Sequence, residues 1–600
     1  MDFDNYLNRL QAELDSRLNE MNGHLETPSC GYIFCPECGT KVEESSNFCP
    51  ECGQRLAEET EECYSRERAQ NAGDEMILFT DTSVLAEKYD IDQEEVIELL
   101  EQFMESYDNM GVTCHLLDAA EYQDYLGEGT WMDYSDLLQR YIADQGIAPG
   151  PKLSLFIIGG NDVIPQPCED NPAFSPSPWG SDEYQDRVYA DFYYCFYGQL
   201  QLDFLDYNRA RCHVARLPLE MGAMESSIED DLVAYFDSTI ETAEDGGISI
   251  GRAVMTSNVD WIPASREMSR NLPTPCLDNE KNVVLDNMYI SPSILEYMDD
   301  DLRKKYYESI GEADMLVFNL HGACQPHMSG FYSSDLAFSI DMLEESNARI
   351  FNTVACWGGR YINYKREQSM LLNALYGGDV LLYSGACVPA LGKCGNYQND
   401  DTWRIQPAAY SETFMARFAE YLCIGSMTAG EAFLKAKCDY YNSSRMIEED
   451  EYTLATVLMF NLYGCPTLHT RPDIDALSEI QPDDGSKMYR VPFRRTQREV
   501  VKKNGVYTAA CGGSVLAQVR AAVDSNLERL HEGIVKHLYN ELGVEPRELF
   551  SVERYQTTDT DGNTLKGYLY NYARVRGHVR TQICVKMDEQ GNLLDAIQTK

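Results

Sequence analysis

Two short apolar segments, each ending in a reactive side chain beside glycine, most strongly constrain how this chain folds. Residues 314–322 read DMLVFNLHG and residues 349–359 read RIFNTVACWGG. Four to eight consecutive apolar residues bounded by glycine predict a strand that is buried in a parallel sheet. Because the carboxyl ends of parallel strands meet at one edge of a sheet, we expect His321 and Cys356 to lie close together.

An imidazole beside a thiol is the arrangement that a cysteine nucleophile needs. Only the thiolate attacks carbonyl groups well, and a neighbouring histidine activates it. The N–H groups of Gly322 and Cys356 are candidate donors to the oxyanion that such an attack creates. Asp260, which follows a predicted strand from Arg252, is a candidate third group that orients His321. The alternatives remain a structural histidine, an inert buried cysteine and an aspartate that caps a helix.

Two other cysteines are weaker candidates for the nucleophile. Cys324 lies too close in sequence to His321 to face it from a neighbouring strand. Cys387 ends the next predicted strand, which begins at Val380. His327 lies in the loop after His321, where we expect a position at the rim.

These segments resemble the clan of cysteine peptidases that includes caspases and gingipains, and the gingipain-type branch in particular. The resemblance extends over residues 76–475 and includes further segments at 153–165, 181–182, 189–191, 211–218 and 461–468, with Cys465 where the family usually has Asp. It implies an α/β fold of the caspase/gingipain type, with doubly wound sheets in two subdomains. It also implies a cysteine endopeptidase that cleaves a few protein substrates.

The same resemblance indicates residues of the substrate pocket. It places Cys387 in the wall of the pocket for the residue before the cleaved bond, with Trp357 and Arg360 beside the nucleophile. Acidic groups near this pocket would favour a basic substrate residue, as in the gingipains, and the acidic chain agrees with that preference. Arg360 and Arg404 would instead favour an acidic substrate residue. We expect the basic preference and leave the other open.

A pair of Cys-Pro-Glu-Cys motifs predicts a zinc site near the N-terminus. Two such motifs followed by Gly39 and Gly53 suit tetrahedral coordination of one Zn²⁺ by four thiolates, those of Cys35, Cys38, Cys49 and Cys52. The segment resembles the short zinc ribbons at the ends of many prokaryotic proteins, and its folding energy would come from the metal. Only Lys41 and Arg55 lie in or beside it, so docking to a protein is favoured over binding to nucleic acid.

The 600 residues are too many for one core and predict several domains. We expect an amphipathic helix at 1–28, a zinc ribbon at 29–57 and a linker at 58–75. The α/β subdomains follow at 76–245 and 246–480, the second carrying His321 and Cys356. A C-terminal α+β domain at 486–600 has a predicted helix at 515–542 and three predicted strands after it.

The net charge of −49 argues against binding of the body to nucleic acid or anionic membranes. Residues 486–600 are mildly basic, with 18 Lys and Arg against 13 Asp and Glu. No apolar run is long enough to span a membrane, and the first residues lack the features of a signal peptide. We therefore expect a cytoplasmic protein whose 20 cysteines are thiols or metal ligands.

A second class of function fits the same sequence. A catalytically silent caspase-like body, recruited through its zinc ribbon, would act as a scaffold or adaptor. The presence of both His321 and Cys356 argues against this alternative. An activating protein partner at the zinc ribbon or the C-terminal domain fits either class, whereas nucleic-acid binding ranks third.

Overall fold

The computed structural model forms two compact units, residues 1–72 and 73–600. The structure describes residues 32–34, 41–43, 75–173, 186–196, 200, 205–219, 227–258, 261, 264–265, 268, 300–322, 330–332, 336–393, 409–423, 427–447, 451–472, 534–535, 538, 546–558, 564–576, 579–588 and 593–599. Several predictions concern residues outside these ranges: the helix at 1–28, the linker, Asp260, Cys324, His327, Arg404, most of the helix at 515–542 and the four zinc ligands.

The first unit contains two short strands, β1 (Tyr32–Phe34) and β2 (Lys41–Glu43). They pair antiparallel, with Tyr32 opposite Glu43 and Phe34 opposite Lys41. The segment between them in sequence, 35–40, contains the first predicted zinc-ligand motif.

The first part of the second unit alternates strands and helices, as predicted. Its elements are β3 (Glu75–Thr80), α1 (Thr82–Tyr89), α2 (Gln93–Asn109), β4 (Thr113–Asp118), α3 (Trp131–Asp144), β5 (Ser154–Ile158), β6 (Cys168–Asp170), β7 (Arg187–Tyr189), β8 (His213–Leu217), α4 (Ala234–Glu244) and β9 (Ile248–Ile250). Local signals fix the helix starts: Asp81 and Asp92 cap α1 and α2, and Thr130 forms a capping box with Asp133 at α3.

The second part carries the candidate site. Its elements are β10 (Ala253–Ser257), α5 (Asp300–Gly311), β11 (Met315–Asn319), β12 (His321–Gly322), β13 (Gly330–Tyr332), β14 (Leu336–Ser339), α6 (Ile340–Leu343), β15 (Ile350–Thr353), α7 (Met370–Tyr376), β16 (Leu382–Ala386), β17 (Leu391–Lys393), α8 (Ser411–Cys423), α9 (Ala429–Ile447), α10 (Glu451–Met459), β18 (Phe460–Gly464) and β19 (Thr470–Pro472). Strands β11, β15 and β16 are buried along their whole length, as their continuous apolar sequences predict.

Within the described residues, nine strands form one sheet in the order β10-β11-β15-β16-β18-β8-β5-β3-β4. All neighbouring pairs are parallel except β16 and β18, which run antiparallel. Strands β10, β11, β15 and β16 therefore end at one edge of the sheet. Strands β18, β8, β5, β3 and β4 end at the opposite edge. The predicted α/β fold class is confirmed, with strands of both predicted subdomains in a single sheet.

The C-terminal residues form a second, antiparallel sheet. It consists of β20 (Leu549–Thr558), β21 (Thr564–Arg576), β22 (Val579–Asp588) and β23 (Leu593–Thr599), with β17 of the main body added beside β23. The prediction of three strands was wrong, because four are present. The reason is that only two residues, 577 and 578, separate β21 from β22, so the sequence pattern shows no clear break between them.

The two sheets have separate hydrophobic cores. Tyr570, Tyr572, Ile583 and Val585 belong to the core of the C-terminal sheet, whereas Ile597 of β23 belongs to the core of the main body. Among the helices that the structure describes, none is both long and apolar enough to cross a membrane.

Candidate active site

Strands β11 and β15 bring the predicted histidine and cysteine to the same level at the sheet edge. Met315 lies opposite Ile350, and Phe318 lies opposite Thr353. The pairing continues past the strands, because the N–H of Val354 donates to the carbonyl oxygen of Phe318 at 3.0 Å. The parallel register therefore places the segment with His321 beside the segment with Cys356.

Gly322 lies directly against the backbone of Cys356. A Cβ atom added at Gly322 would contact the carbonyl oxygen of Cys356 and would lie 2.6 Å from its carbonyl carbon and 2.9 Å from its nitrogen. These distances are far shorter than van der Waals contact, so only glycine fits at this position. The backbone groups that we predicted as oxyanion donors thus belong to segments that touch.

The turn after Cys356 has an unusual backbone conformation. Trp357 has a φ of 55°, in the left-handed region that L-residues seldom adopt. Hydrogen bonds to the next strand segment hold this turn: the N–H of Trp357 donates to the carbonyl of Val388 at 3.2 Å, and that of Gly359 donates to Ala386 at 2.9 Å. Such strain persists only where the surroundings fix it, and it is common at functional sites.

The thiol of Cys356 lies beneath the surface. The residue is buried and clusters with Trp357 and Tyr364. Its Sγ lies 3.8 Å from the carbonyl oxygen of Ala390, just before β17. A substrate therefore reaches the sulfur only when neighbouring groups move aside.

His321 packs against an aromatic residue that the sequence reasoning did not single out. Its ring centroid lies 4.6 Å from that of Trp261, with the ring planes at 65°. Trp261 is buried, whereas His321 is partly exposed. Asp260, the predicted third group, lies outside the described residues and stays a prediction. The sequence signal that could have identified Trp261 is its position as an aromatic residue directly after Asp260.

Cys387 occupies the position predicted for a pocket-wall residue, at the end of β16. It is buried, and its Sγ lies 3.3 Å from the carbonyl oxygen of Tyr189, to which it donates. Burial raises the pKa of the Cys387 thiol to about 11, so it is protonated at neutral pH. Its chemistry is therefore that of a lining group.

Arg360, another predicted pocket residue, is a buried cation close to this wall. Its guanidinium carbon lies 5.8 Å from the centre of the Tyr189 ring. The positive charge of Arg360 also acts on the Cys387 thiol, where it opposes the rise of the pKa. Arg360 thus lies close to Cys387 and Tyr189, and the assignment of Trp357, Arg360 and Cys387 to one pocket stays a prediction.

Two segments that suggested the family resemblance contact each other through a buried ion pair. The guanidinium of Arg216 donates to both carboxylate oxygens of Asp191, at 2.7 and 2.9 Å. It also donates to the carbonyl groups of Gly159, Gly160 and Ile164. Arg216 of β8 is thereby joined to Asp191 and to the loop after β5.

The N-terminal unit agrees with a known domain family. Residues 34–56 match the model of the zinc-ribbon domain. The matched segment contains the predicted ligands Cys35, Cys38, Cys49 and Cys52. Strands β1 and β2 pair antiparallel, with Phe34 opposite Lys41. This pairing brings together the two ends of the segment 35–40, which contains Cys35 and Cys38, as a zinc knuckle requires.

About two thirds of the chain is similar to solved structures of proteases. The structure of the Arg-specific cysteine proteinase gingipain R matches with 14% identity and a TM-score of 0.39, covering 67% of this chain and 79% of that one. The complex of the RgpB pro- and mature domains from Porphyromonas gingivalis matches with 14% identity and a TM-score of 0.39, covering 66% and 80%. A third structure, described only as a protease, has 10% identity and a TM-score of 0.43, covering 67% and 79%.

No curated protein matches this sequence.

Proposed function

We propose that this protein is a cysteine endopeptidase in which Cys356 is the nucleophile and His321 its acid–base partner. The observation that carries the proposal is the contact between Gly322 and the backbone of Cys356. This contact brings the residue after His321 against the nucleophile itself and requires glycine there. A structural histidine and an inert thiol would not need such a close approach of their backbones.

The proposed reaction has two stages. His321 accepts the thiol proton of Cys356, and the thiolate attacks a peptide carbonyl to form the C–S bond while the N–H groups of Gly322 and Cys356 stabilise the oxyanion. His321 then donates a proton to the departing amine as the C–N bond breaks. Water hydrolyses the acyl-enzyme, and the thiol and the imidazole return to their starting states.

The substrate is proposed to be a protein that is cleaved at one or a few sites. We propose a basic residue before the cleaved bond, in line with the acidic chain. The buried cation of Arg360 beside the pocket wall favours the alternative, an acidic residue at the same position. A peptide library separates these two preferences directly.

The N-terminal unit is proposed to bind one structural Zn²⁺ through Cys35, Cys38, Cys49 and Cys52 and to dock the enzyme on a protein partner. When bound, the metal supplies folding energy to a segment too small to have a core. We further propose a cytoplasmic location, where a thiolate nucleophile and thiolate ligands stay reduced. Metal analysis of the purified chain tests the site: we expect one zinc per chain, lost in a Cys35→Ser/Cys38→Ser variant.

The central experiment incubates the purified protein with a fluorogenic peptide library that varies the residue before the scissile bond. We expect cleavage by the parent and by Cys387→Ala, and none by Cys356→Ala. Labelling by a thiol-reactive peptidyl warhead, located by mass spectrometry, separates a slow or latent enzyme from a scaffold. Absence of both cleavage and labelling at Cys356 would favour the scaffold, the second candidate function.

A further inference from the structure

Two buried tyrosines contact the turn that carries the candidate nucleophile. Tyr383 of β16 donates its hydroxyl hydrogen to the carbonyl oxygen of Gly358, and Tyr463 of β18 donates to that of Gly359 at 2.7 Å. Both side chains are fully buried. Burial raises the pKa of each hydroxyl well above its ordinary value, so both groups remain hydrogen-bond donors at any physiological pH.

The two tyrosines form a matched pair across the antiparallel junction of the sheet. Tyr383 and Tyr463 lie opposite each other in the β16–β18 ladder, with ring centroids 6.3 Å apart. The ring of Tyr383 also stacks on Phe351 of β15, the strand that leads to Cys356, at 4.8 Å and an angle of 6°. Packing therefore fixes the direction of both hydroxyl groups.

With the hydrogen bonds from these tyrosines, two consecutive peptide groups of the turn are each bonded through both the carbonyl and the N–H. In the peptide between Gly358 and Gly359, the carbonyl accepts from Tyr383 and the N–H donates to Ala386 at 2.9 Å. In the next peptide, the carbonyl accepts from Tyr463, and the N–H of Arg360 donates to Trp357 at 3.0 Å.

The backbone itself approaches β16 closely at the same place. A Cβ added at Gly359 would lie 2.5 Å from the carbonyl carbon of Gly385, and one added at Gly385 would lie 2.7 Å from the nitrogen of Gly359. The turn is thus pressed on the sheet as well as hydrogen-bonded to it. The left-handed φ of Trp357 shows that the turn would not adopt this path unaided.

We infer that Tyr383 and Tyr463 are positioning residues that fix the orientation of Cys356 through the peptide groups after it. The inference rests on the proposed peptidase function and extends it to two residues far from Cys356 in sequence. Loss of either hydroxyl frees one carbonyl of the turn, and the thiol and the N–H of Cys356 lose their alignment with the substrate carbonyl. Substrate binding also depends on groups outside this turn, such as Cys387, so we expect it to change less than the rate of the chemical step.

The test compares Tyr383→Phe and Tyr463→Phe with Tyr194→Phe as the matched control. Tyr194 is also fully buried and donates to a backbone carbonyl, that of Pro165 at 2.7 Å, which lies outside the turn after Cys356. The peptide substrate is the best one from the library, and active-site titration with the peptidyl warhead counts the folded enzyme. Thermal unfolding of each variant is measured in parallel.

We expect kcat per titrated site to fall at least about tenfold in each of the first two variants, with a smaller relative change in KM. The control should lose comparable thermal stability and keep the parent kcat. Parent-like kcat in Tyr383→Phe and Tyr463→Phe, with reduced stability alone, would overturn the inference while the peptidase function stands. If Tyr383→Phe does not fold, Tyr463→Phe decides alone. A parent that neither cleaves nor is labelled at Cys356 overturns the proposed function instead, and this inference with it.

Discussion

Thr599, in the last strand of the C-terminal sheet, pairs with Leu391 of the main body. Leu391 directly follows Ala390, whose carbonyl oxygen lies 3.8 Å from the sulfur of Cys356. The C-terminal sheet therefore borders the candidate site through β17. Successive residues of β23 also enter different cores, because Ala596 packs in the C-terminal core and Ile597 packs in that of the body.

We expect Ile597→Asp to separate β23 from the body. A buried unpaired charge costs on the order of 3 kcal/mol or more, and the strand can avoid this cost by leaving β17. Peptide cleavage should fall at least about tenfold as the Ala390 segment loses its support. Gln598→Asp is the control, since it introduces the same charge at the next, partly exposed position. Equal activity of the two variants would show that β23 does not support the site. Cleavage assays and thermal unfolding provide the readout.

Substitution Gly322→Ala tests the contact on which the proposed function rests. The added methyl group would overlap the backbone of Cys356, so the two segments must move apart. Because a displacement of about 1 Å at a reacting group costs roughly 100-fold in rate, we expect cleavage to fall by at least that factor. Gly150→Ala is the control, since no atom lies within 4 Å of a Cβ at that position. Parent-like kinetics in Gly322→Ala would contradict the proposed arrangement.

Trp261 is expected to orient the imidazole of His321. An edge-to-face aromatic contact is worth about 1 kcal/mol, so Trp261→Leu should lower kcat by roughly fivefold. Trp261→Phe keeps an aromatic ring at the contact and should recover most of that loss. Steady-state kinetics with the same peptide measure both variants. Trp131→Leu, which removes a Trp–Tyr contact in the N-terminal half, should leave kcat unchanged. If Trp261→Leu kept the parent kcat, Trp261 would have no role in orienting His321.

His213 should make the folded chain sensitive to acid. Its Nδ1–H donates to the carbonyl of Pro151 and its Nε2 accepts from Ser154, each at 2.8 Å, and burial lowers its pKa from 6.5 to about 4. The unfolded chain therefore binds more protons between these values. The contribution is fully present above pH 6.5 and is lost as the pH falls to 4, about 3 kcal/mol in all.

Urea unfolding of the parent and His213→Asn at pH 7 and pH 4 checks this expectation. The variant should be the less stable at pH 7, because it loses a packed side chain. The gap between the two free energies of unfolding should then shrink by about 3 kcal/mol at pH 4. An unchanged difference between the two free energies of unfolding would mean that His213 has the same pKa in the folded and the unfolded chain.

The sequence alone was sufficient for the elements that depend on local signals. Continuous apolar runs predicted β11, β15 and β16, and the structure buries each of them throughout. Asp92 and Thr130 cap α2 and α3, and such caps are local signals that depend on nearby residues alone. The sequence also placed His321 and Cys356 at the ends of neighbouring parallel strands, and each lies three positions beyond the paired residues Phe318 and Thr353.

Only the tertiary structure decided how distant segments meet. The antiparallel pairing of β18 with β16 places Tyr463 opposite Tyr383, and both tyrosines then contact the turn after Cys356. In the sequence, both tyrosines look like ordinary core residues. Trp261 reaches His321, and β23 reaches β17, across long stretches of chain. Hydrophobic periodicity records that a residue is buried but not which residue covers it. Which strands pair, and in which direction, follows from the packing of the whole chain. This pairing decided which groups surround Cys356.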